Sequence, residues 1–259
     1  MRLFKYCPFL RGEDILTNER IVFTPPGKFS DPFEMRINLS PVAKREFKRR
    51  LFEEVKEKAK RGLQGYSQLS PRQQRIGRKE QTRGVNIGAI ADESFQAAIQ
   101  RESQQFGILC LCTAKKSKLM WDHYTRGFQG FVIEFDSNDG EFKKLGALWK
   151  VEYVDKSPVF NYSKPIPEFF RFKPKCYEYE GEYRIVRPIH ECTTGRGEND
   201  VELFFRPLPR ACVKAVYLGH RMEKSAREGI LKLLKQTEAK KFDVDPKLKD
   251  YELSFREII

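Results

Sequence analysis

The segment Tyr179-Glu180-Gly181-Glu182-Tyr183-Arg184 places two carboxylates and a guanidinium within five residues. In an extended chain alternate residues share a face, so a strand over Tyr177–Val186 is predicted to carry Glu180, Glu182 and Arg184 on one side. Neighbouring carboxylates are then about 7 Å apart. Such a pair is costly to bury unless partnered. A solvated strand face with a surface ion pair is the plain reading. Gly181 argues against it, because glycine inside a strand often marks the close approach of a ligand or another backbone.

A second constellation is Met120-Trp121-Asp122-His123-Tyr124, followed by Gly127 and Gly130. Trp121 and Tyr124 are three residues apart and share one face of a helical turn. Trp121 reads as a core residue, whereas Tyr124, next to the glycine loop, can stack on a flat ligand. His123 is a candidate acid or base, although a lone histidine is more often structural. Gly127 and Gly130 permit close backbone approach. The third segment, Asp31-Pro32-Phe33-Glu34, reads as a turn, since proline keeps its predecessor out of the helical region. It shapes a site rather than joining its chemistry.

The elements that must position these residues follow from periodicity. Strands are expected at residues 3–7, 21–24, 107–113, 130–136, 148–154, 177–186, 215–219 and 251–258. A helix or turn is expected at 11–18, a short helical turn at 118–124 and a helix at 221–236. Ser40-Pro41 is a helix start, with Ser40 as cap. The helix it opens carries a thin apolar stripe of Val42, Phe47, Leu51, Phe52 and Val55 and ends near Gly62 or Gly65. Residues 66–90 read as a loop or a weakly packed helix, 92–104 as a second helix, and 166–172 as helix or coil. The expected fold class is α+β, with a mixed or antiparallel sheet. It forms a single domain over residues 1–259 with a basic helical insertion at 41–105.

Of 259 residues, 40% are hydrophobic and 33% charged, a composition that suits a globular core. No apolar run is long enough for a membrane helix, and no signal peptide is apparent, so a cytoplasmic protein is expected. Six cysteines and three histidines lack metal-ligand spacing, so no metal site is expected. The net charge is +13, and it is concentrated: residues 44–83 hold fourteen Lys/Arg against five acids. A field of that kind attracts polyanions, and Arg45, Arg49, Arg50, Arg72, Arg75 and Arg78 are the candidate phosphate contacts on RNA or DNA. The alternative is a solvated helical face.

Taken in order along the chain, the motifs resemble a widespread bacterial family known as a domain of unknown function. Phe4-Lys5-Tyr6 matches its opening strand. Phe29-Ser30-Asp31-Pro32-Phe33-Glu34 matches its F-N/S-D-P-F-E turn, and Cys110-Leu111-Cys112 its C-L-S strand. Met120-Trp121-Asp122-His123-Tyr124 with Gly130 matches M-W-x-H-Y…G, Glu180–Arg184 matches E-x-E-x-R, and Val216-Tyr217-Leu218-Gly219 matches a closing I-x-L-G.

That layout is in turn similar to the ADP-ribosyltransferase fold, a split sheet. The resemblance implies NAD as substrate and Glu182, Glu180 and Tyr124 as catalytic residues. Lys5, Tyr6, Trp121, His123, Tyr124 and Arg184 would be NAD contacts. The first-strand residue of that fold is usually His or Arg; here Lys5 and Tyr6 stand in its place. The leading expectation is an NAD-consuming transferase acting on nucleic acid or protein, a toxin or phage-defence effector with an inhibitory protein partner. Two other readings stand beside it. One is a non-enzymatic nucleic-acid-binding module. The other is a metal-dependent nuclease built on Asp31, Glu34, Glu180 and Glu182 around magnesium.

Overall fold

The structure is a computed structural model. It describes every residue except 30, 32, 34–36, 64–65, 82–86, 161–164, 198–199, 248 and 259, together with the side chains at 39, 62, 66, 78, 81, 87–92 and 166. The chain is α+β and divides into two compact units. The first comprises Met1–Met35, Gln104–Lys156 and Phe170–Ile259; the second comprises Arg36–Ser103 and Ser157–Phe169. Residues 41–103 of the basic segment expected over 41–105 therefore belong to a unit that also takes in 157–169. Among the described residues no helix is long and apolar enough to cross a membrane.

The first unit is built on an eight-stranded sheet. In spatial order its strands are Glu252–Glu257, Lys240–Lys247, Val213–Leu218, Phe131–Asp136, Arg2–Cys7, Phe106–Cys112, Glu182–Pro188 and Leu148–Lys150. The pair formed by Val213–Leu218 and Lys240–Lys247 is parallel, and the other pairs are antiparallel. Alternation along the strands supplies two apolar faces. Leu3, Cys7, Leu109, Leu111, Phe131, Ile133 and Ile185 join one core, which also takes Ile15 and Leu16 from the helix Phe9–Asn18 and Ile230 from the helix Lys224–Leu233. Phe4, Tyr6, Cys112, Val132 and Tyr217 join the other, packed with Met120 and Trp121 of the helix Lys118–Tyr124.

The sheet forks at its middle. Arg2–Cys7 and Phe106–Cys112 pair at one position, Phe4 with Cys112. Four residues earlier Ile108 pairs instead with Thr24, through Thr24 N to Ile108 O and Ile108 N to Thr24 O, both 2.9 Å. Thr24 extends the strand Arg20–Phe23, which belongs to a separate three-stranded sheet with Glu202–Pro207 and Thr193–Arg196. Backbone groups need partners wherever a ladder opens, and side chains span this opening. Lys5 Nζ donates to Cys110 O at 3.0 Å, and Tyr6 OH donates to Ala114 O at 2.6 Å.

In the second unit Ser40 caps the helix Pro41–Gly62, its Oγ accepting from Ala43 N at 3.1 Å. This is the start that Ser40-Pro41 predicts. Beyond it lie the helices Pro71–Gln81 and Ile87–Ser103, so of the two readings of residues 66–90, loop or weakly packed helix, much of the stretch takes the helical one. Rings of Phe47, Phe95, Phe160 and Phe169 pack in succession. Asn38–Leu39 pairs in parallel with Val159–Phe160, which ties residues 157–169 to this unit.

Two sequence expectations are corrected. The single strand over 148–154 is two short strands, Leu148–Lys150 and Glu152–Val154, in different sheets. The strand over 177–186 begins only at Glu182. Residues Lys175–Glu180 form a 3-10 turn that stops at Gly181, whose φ is +54°. Pro174 precedes the turn, and the left-handed glycine ends it, a conformation that costs other residues about 1 kcal/mol or more. The strands Lys240–Lys247, Thr193–Arg196 and Glu202–Pro207 carried no reading in the sequence.

A candidate active site at the fork of the sheet

Register places one row of side chains across the sheet. Glu134 lies opposite Phe4, Phe4 opposite Cys112, and Cys112 opposite Glu182. Directly opposed residues share a face, so Glu182 projects on the same side as Phe4, beside the fork. Glu180 reaches this side by a different route. It is the last residue of the 3-10 turn, and the reversal at Gly181 brings it back toward Glu182. A Cβ on residue 181 would lie 2.9 Å from Thr113 Oγ1.

The two carboxylates are joined by a residue that no motif marked. Lys173 Nζ donates to Glu180 Oε2 at 2.6 Å and to Glu182 Oε2 at 3.0 Å. Arg184 grips Glu182 at two points, Nε to Oε1 at 2.8 Å and Nη2 to Oε2 at 3.1 Å, and its Nη1 donates to Phe170 O at 2.6 Å. Lys173, Glu180, Glu182 and Arg184 are all buried. The cluster thus carries two cations for two anions, as burial requires. Tyr124 OH donates to Glu180 Oε1 at 2.8 Å, and Tyr153 OH accepts from Glu182 N at 2.8 Å.

These contacts set the protonation states. Burial opposes ionisation of Glu182, but the Arg184 guanidinium and the Lys173 ammonium outweigh it and hold the carboxyl down at about 2. Burial pushes the Tyr124 hydroxyl well above its ordinary range. Lys173 opposes that rise and Glu180 adds to it, so Tyr124 is a hydrogen-bond donor at neutral pH. Burial likewise raises the Cys112 thiol to about 12, which removes it as a thiolate nucleophile.

A cavity of about 360 Å³ opens at the fork. Phe4, Lys5, Tyr6, Tyr124, Glu180 and Glu182 all line it, together with Lys173 and Asp31. Its size falls in the range of small-molecule sites, about 300–1,000 Å³. The helix carrying Tyr124 is fixed by Ser117, whose Oγ accepts from Met120 N at 3.4 Å, and by Trp121 Nε1, which donates to Lys115 O at 3.0 Å.

Three predicted contacts do not line the cavity. Trp121 is fully buried, stacked on Phe128 and edge-on to Tyr6, which makes it a core residue. His123 is exposed and is not among the residues lining the cavity. Arg184 is fully buried and directed to Glu182 and Phe170 O, so it orients a carboxylate where an NAD contact was expected. Gly130 does allow a close approach, but to protein backbone: a Cβ there would lie 2.0 Å from Cys7 O.

Of the four residues named for a magnesium-dependent nuclease, Asp31, Glu180 and Glu182 line the cavity, with Lys173 Nζ bonded to both glutamates, and Glu34 lies outside the described residues. In the second unit Arg45, Arg49, Arg50, Arg72 and Arg75 are exposed, with Arg50 paired to Glu46, and the Arg78 side chain is outside the described residues. Lys173 was missed because Phe172-Lys173-Pro174 is a three-residue strand with no periodicity to read. No family model, curated protein or solved structure matches the chain.

Proposed function

We propose that the cavity binds the nicotinamide–ribose end of NAD and that the protein transfers ADP-ribose to an acceptor. The observation that carries this reading is the convergence of Tyr124, Glu180 and Glu182 on one cavity at the split of the sheet. In the reaction the bond between the ribose carbon and the pyridinium nitrogen breaks, and nicotinamide leaves with the electron pair. The acceptor's lone pair forms the new bond to that carbon, and its proton passes to a base. The sugar is cation-like in the transition state, so a carboxylate that stays ionised stabilises it.

Glu182 suits that role, because a carboxyl held at about 2 is an anion at any physiological pH and a poor base. Glu180, bonded to the Tyr124 hydroxyl, is assigned to the acceptor's proton. The Tyr124 ring packs on the leaving ring and orients it. The exposed arginines of the second unit support nucleic acid as acceptor, since they suit phosphate contacts.

The test is incubation of the purified protein with labelled NAD and, separately, total RNA, DNA and lysate. Transfer of label with release of nicotinamide is expected. Absence of both transfer and release sinks the proposal.

A further inference from the structure

The strand Glu252–Glu257 closes one end of the eight-stranded sheet, and among the described residues no strand pairs with its outer side. Unpaired backbone groups along such an edge are a template for another chain, and proteins commonly blunt them with lysine, proline or a bulge. This strand contains neither lysine nor proline, and its ladder with Lys240–Lys247 runs without a break in register.

The ladder fixes which groups face outward. Ile258 N donates to Lys241 O at 2.8 Å, and Pro246, which has no N–H, lies opposite Leu253. Hydrogen-bonded and non-hydrogen-bonded pairs alternate along an antiparallel ladder. Glu252, Ser254 and Arg256 therefore bond inward, whereas Leu253, Phe255 and Glu257 turn their N–H and C=O groups outward. Only registers that set outward residues against outward residues are open to a second copy.

We propose that this edge pairs antiparallel with the same edge of a second copy of the chain, about a two-fold axis at Ser254. In that register Leu253 exchanges hydrogen bonds with Phe255 of the second copy, and the reverse pair follows by symmetry. Glu252 then meets Arg256 of the second copy, again twice. These are non-hydrogen-bonded positions, where facing side chains approach most closely, and both residues are exposed. Leu253 and Phe255 pack with Val244 and Tyr217 on one apolar face, which the pairing continues across the axis. The neighbouring open registers fit less well. One sets Leu253 against Glu257. The other recruits Tyr251, whose φ of +51° takes it out of the extended edge.

The experiment is sedimentation velocity of the full chain over a concentration series. The overlap of Glu252–Arg256 is small beside a standard interface of about 1,600 Å², so a dimer that dissociates on dilution is expected. Glu252→Arg sets arginine against arginine, and Arg256→Glu sets glutamate against glutamate. Each alone should raise the dissociation constant by about tenfold or more. An equimolar mixture of the two variants should recover the dimer, because every arginine then meets a glutamate; loss of folding does not produce that recovery. Asp243, which Arg256 contacts at 3.3 Å, keeps Arg227 when Arg256 is replaced. If melting shows that Arg256→Glu does not fold, Glu252→Arg is compared with Glu252→Asp, which is expected to stay dimeric; equal association of those two overturns the proposal. A monomer at every concentration overturns it too, as does a mixture that fails to recover the dimer. A dimer that the charge variants leave unchanged also overturns it, and places the contact on another surface.

Discussion

Arg184 meets Glu182 through two parallel contacts, Nε to Oε1 at 2.8 Å and Nη2 to Oε2 at 3.1 Å, with the guanidinium fully buried. Removing one member of such a pair strands the other without solvent. Glu182→Gln is therefore expected to destabilise the protein by about 3–5 kcal/mol. Adding Arg184→Met should restore much of that stability, because no charge is then left unpaired by the substitution. Activity should not return with it, since the anion facing the cavity is gone. Calorimetric melting beside an NAD-consumption assay separates the two. Full activity in the refolded double variant would remove Glu182 from the chemistry.

Lys173 is the shared counter-ion of Glu180 and Glu182. In Lys173→Met the two carboxylates face each other without it, and like charges at that range favour protonation of one of them. The folded variant then has a carboxyl whose pKa is raised above its unfolded value. Its stability is present at low pH and is lost as pH rises through the raised value. Melting of Lys173→Met should thus be higher at pH 5 than at pH 8, relative to wild type measured at the same pH values. Equal differences at both would contradict the bridging role.

The wild-type protein should show the opposite dependence. The folded pKa of Glu182 is depressed to about 2. Its contribution is complete above the ordinary carboxyl range and is lost as pH falls from about 4.5 toward 2. Acid titration followed by circular dichroism should place part of the loss of stability in that window, and the Glu182→Gln, Arg184→Met variant should show less of it.

Tyr124→Phe keeps the ring and deletes the hydroxyl that donates to Glu180 at 2.8 Å. Because Tyr124 is partly exposed, stability should change by only about 1 kcal/mol. Nicotinamide release should fall by about tenfold or more if the hydroxyl orients the base. An unchanged rate would leave Tyr124 as a packing residue.

Gly181→Ala tests how the turn sets the distance between the carboxylates. With φ at +54° and Thr113 Oγ1 2.9 Å from the new Cβ, a loss of about 1–2 kcal/mol is expected. Turnover should fall further than stability predicts, because Glu180 reaches Lys173 only through this reversal. Proportionate changes in both would show that the turn has no part beyond folding.

The residue types that meet in the cavity were legible in the sequence, because they are local. Glu180 and Glu182 are two residues apart, with Arg184 two further on to hold Glu182, and Tyr124 sits in a helical turn capped by Ser117. The strands Arg2–Cys7, Phe106–Cys112, Phe131–Asp136 and Val213–Leu218 and the Ser40-capped helix were legible for the same reason, whereas Lys240–Lys247 was not: periodicity and capping are properties of neighbouring residues. Three things were decided only by long-range contacts. Lys173 lies on a three-residue strand held in place by pairing with Glu152–Val154, Lys173 opposite Tyr153, and only that pairing sets it against Glu180 and Glu182. Glu180 left the expected strand because a left-handed glycine packs against Thr113, 68 residues away. The cavity exists because Ile108 pairs with Thr24 and not with the opening strand, so the sheet parts beside Phe4 and Cys112. Alternation along a strand says which face a residue takes, but not where two strands separate. That separation turned a run of charged residues into a lined pocket.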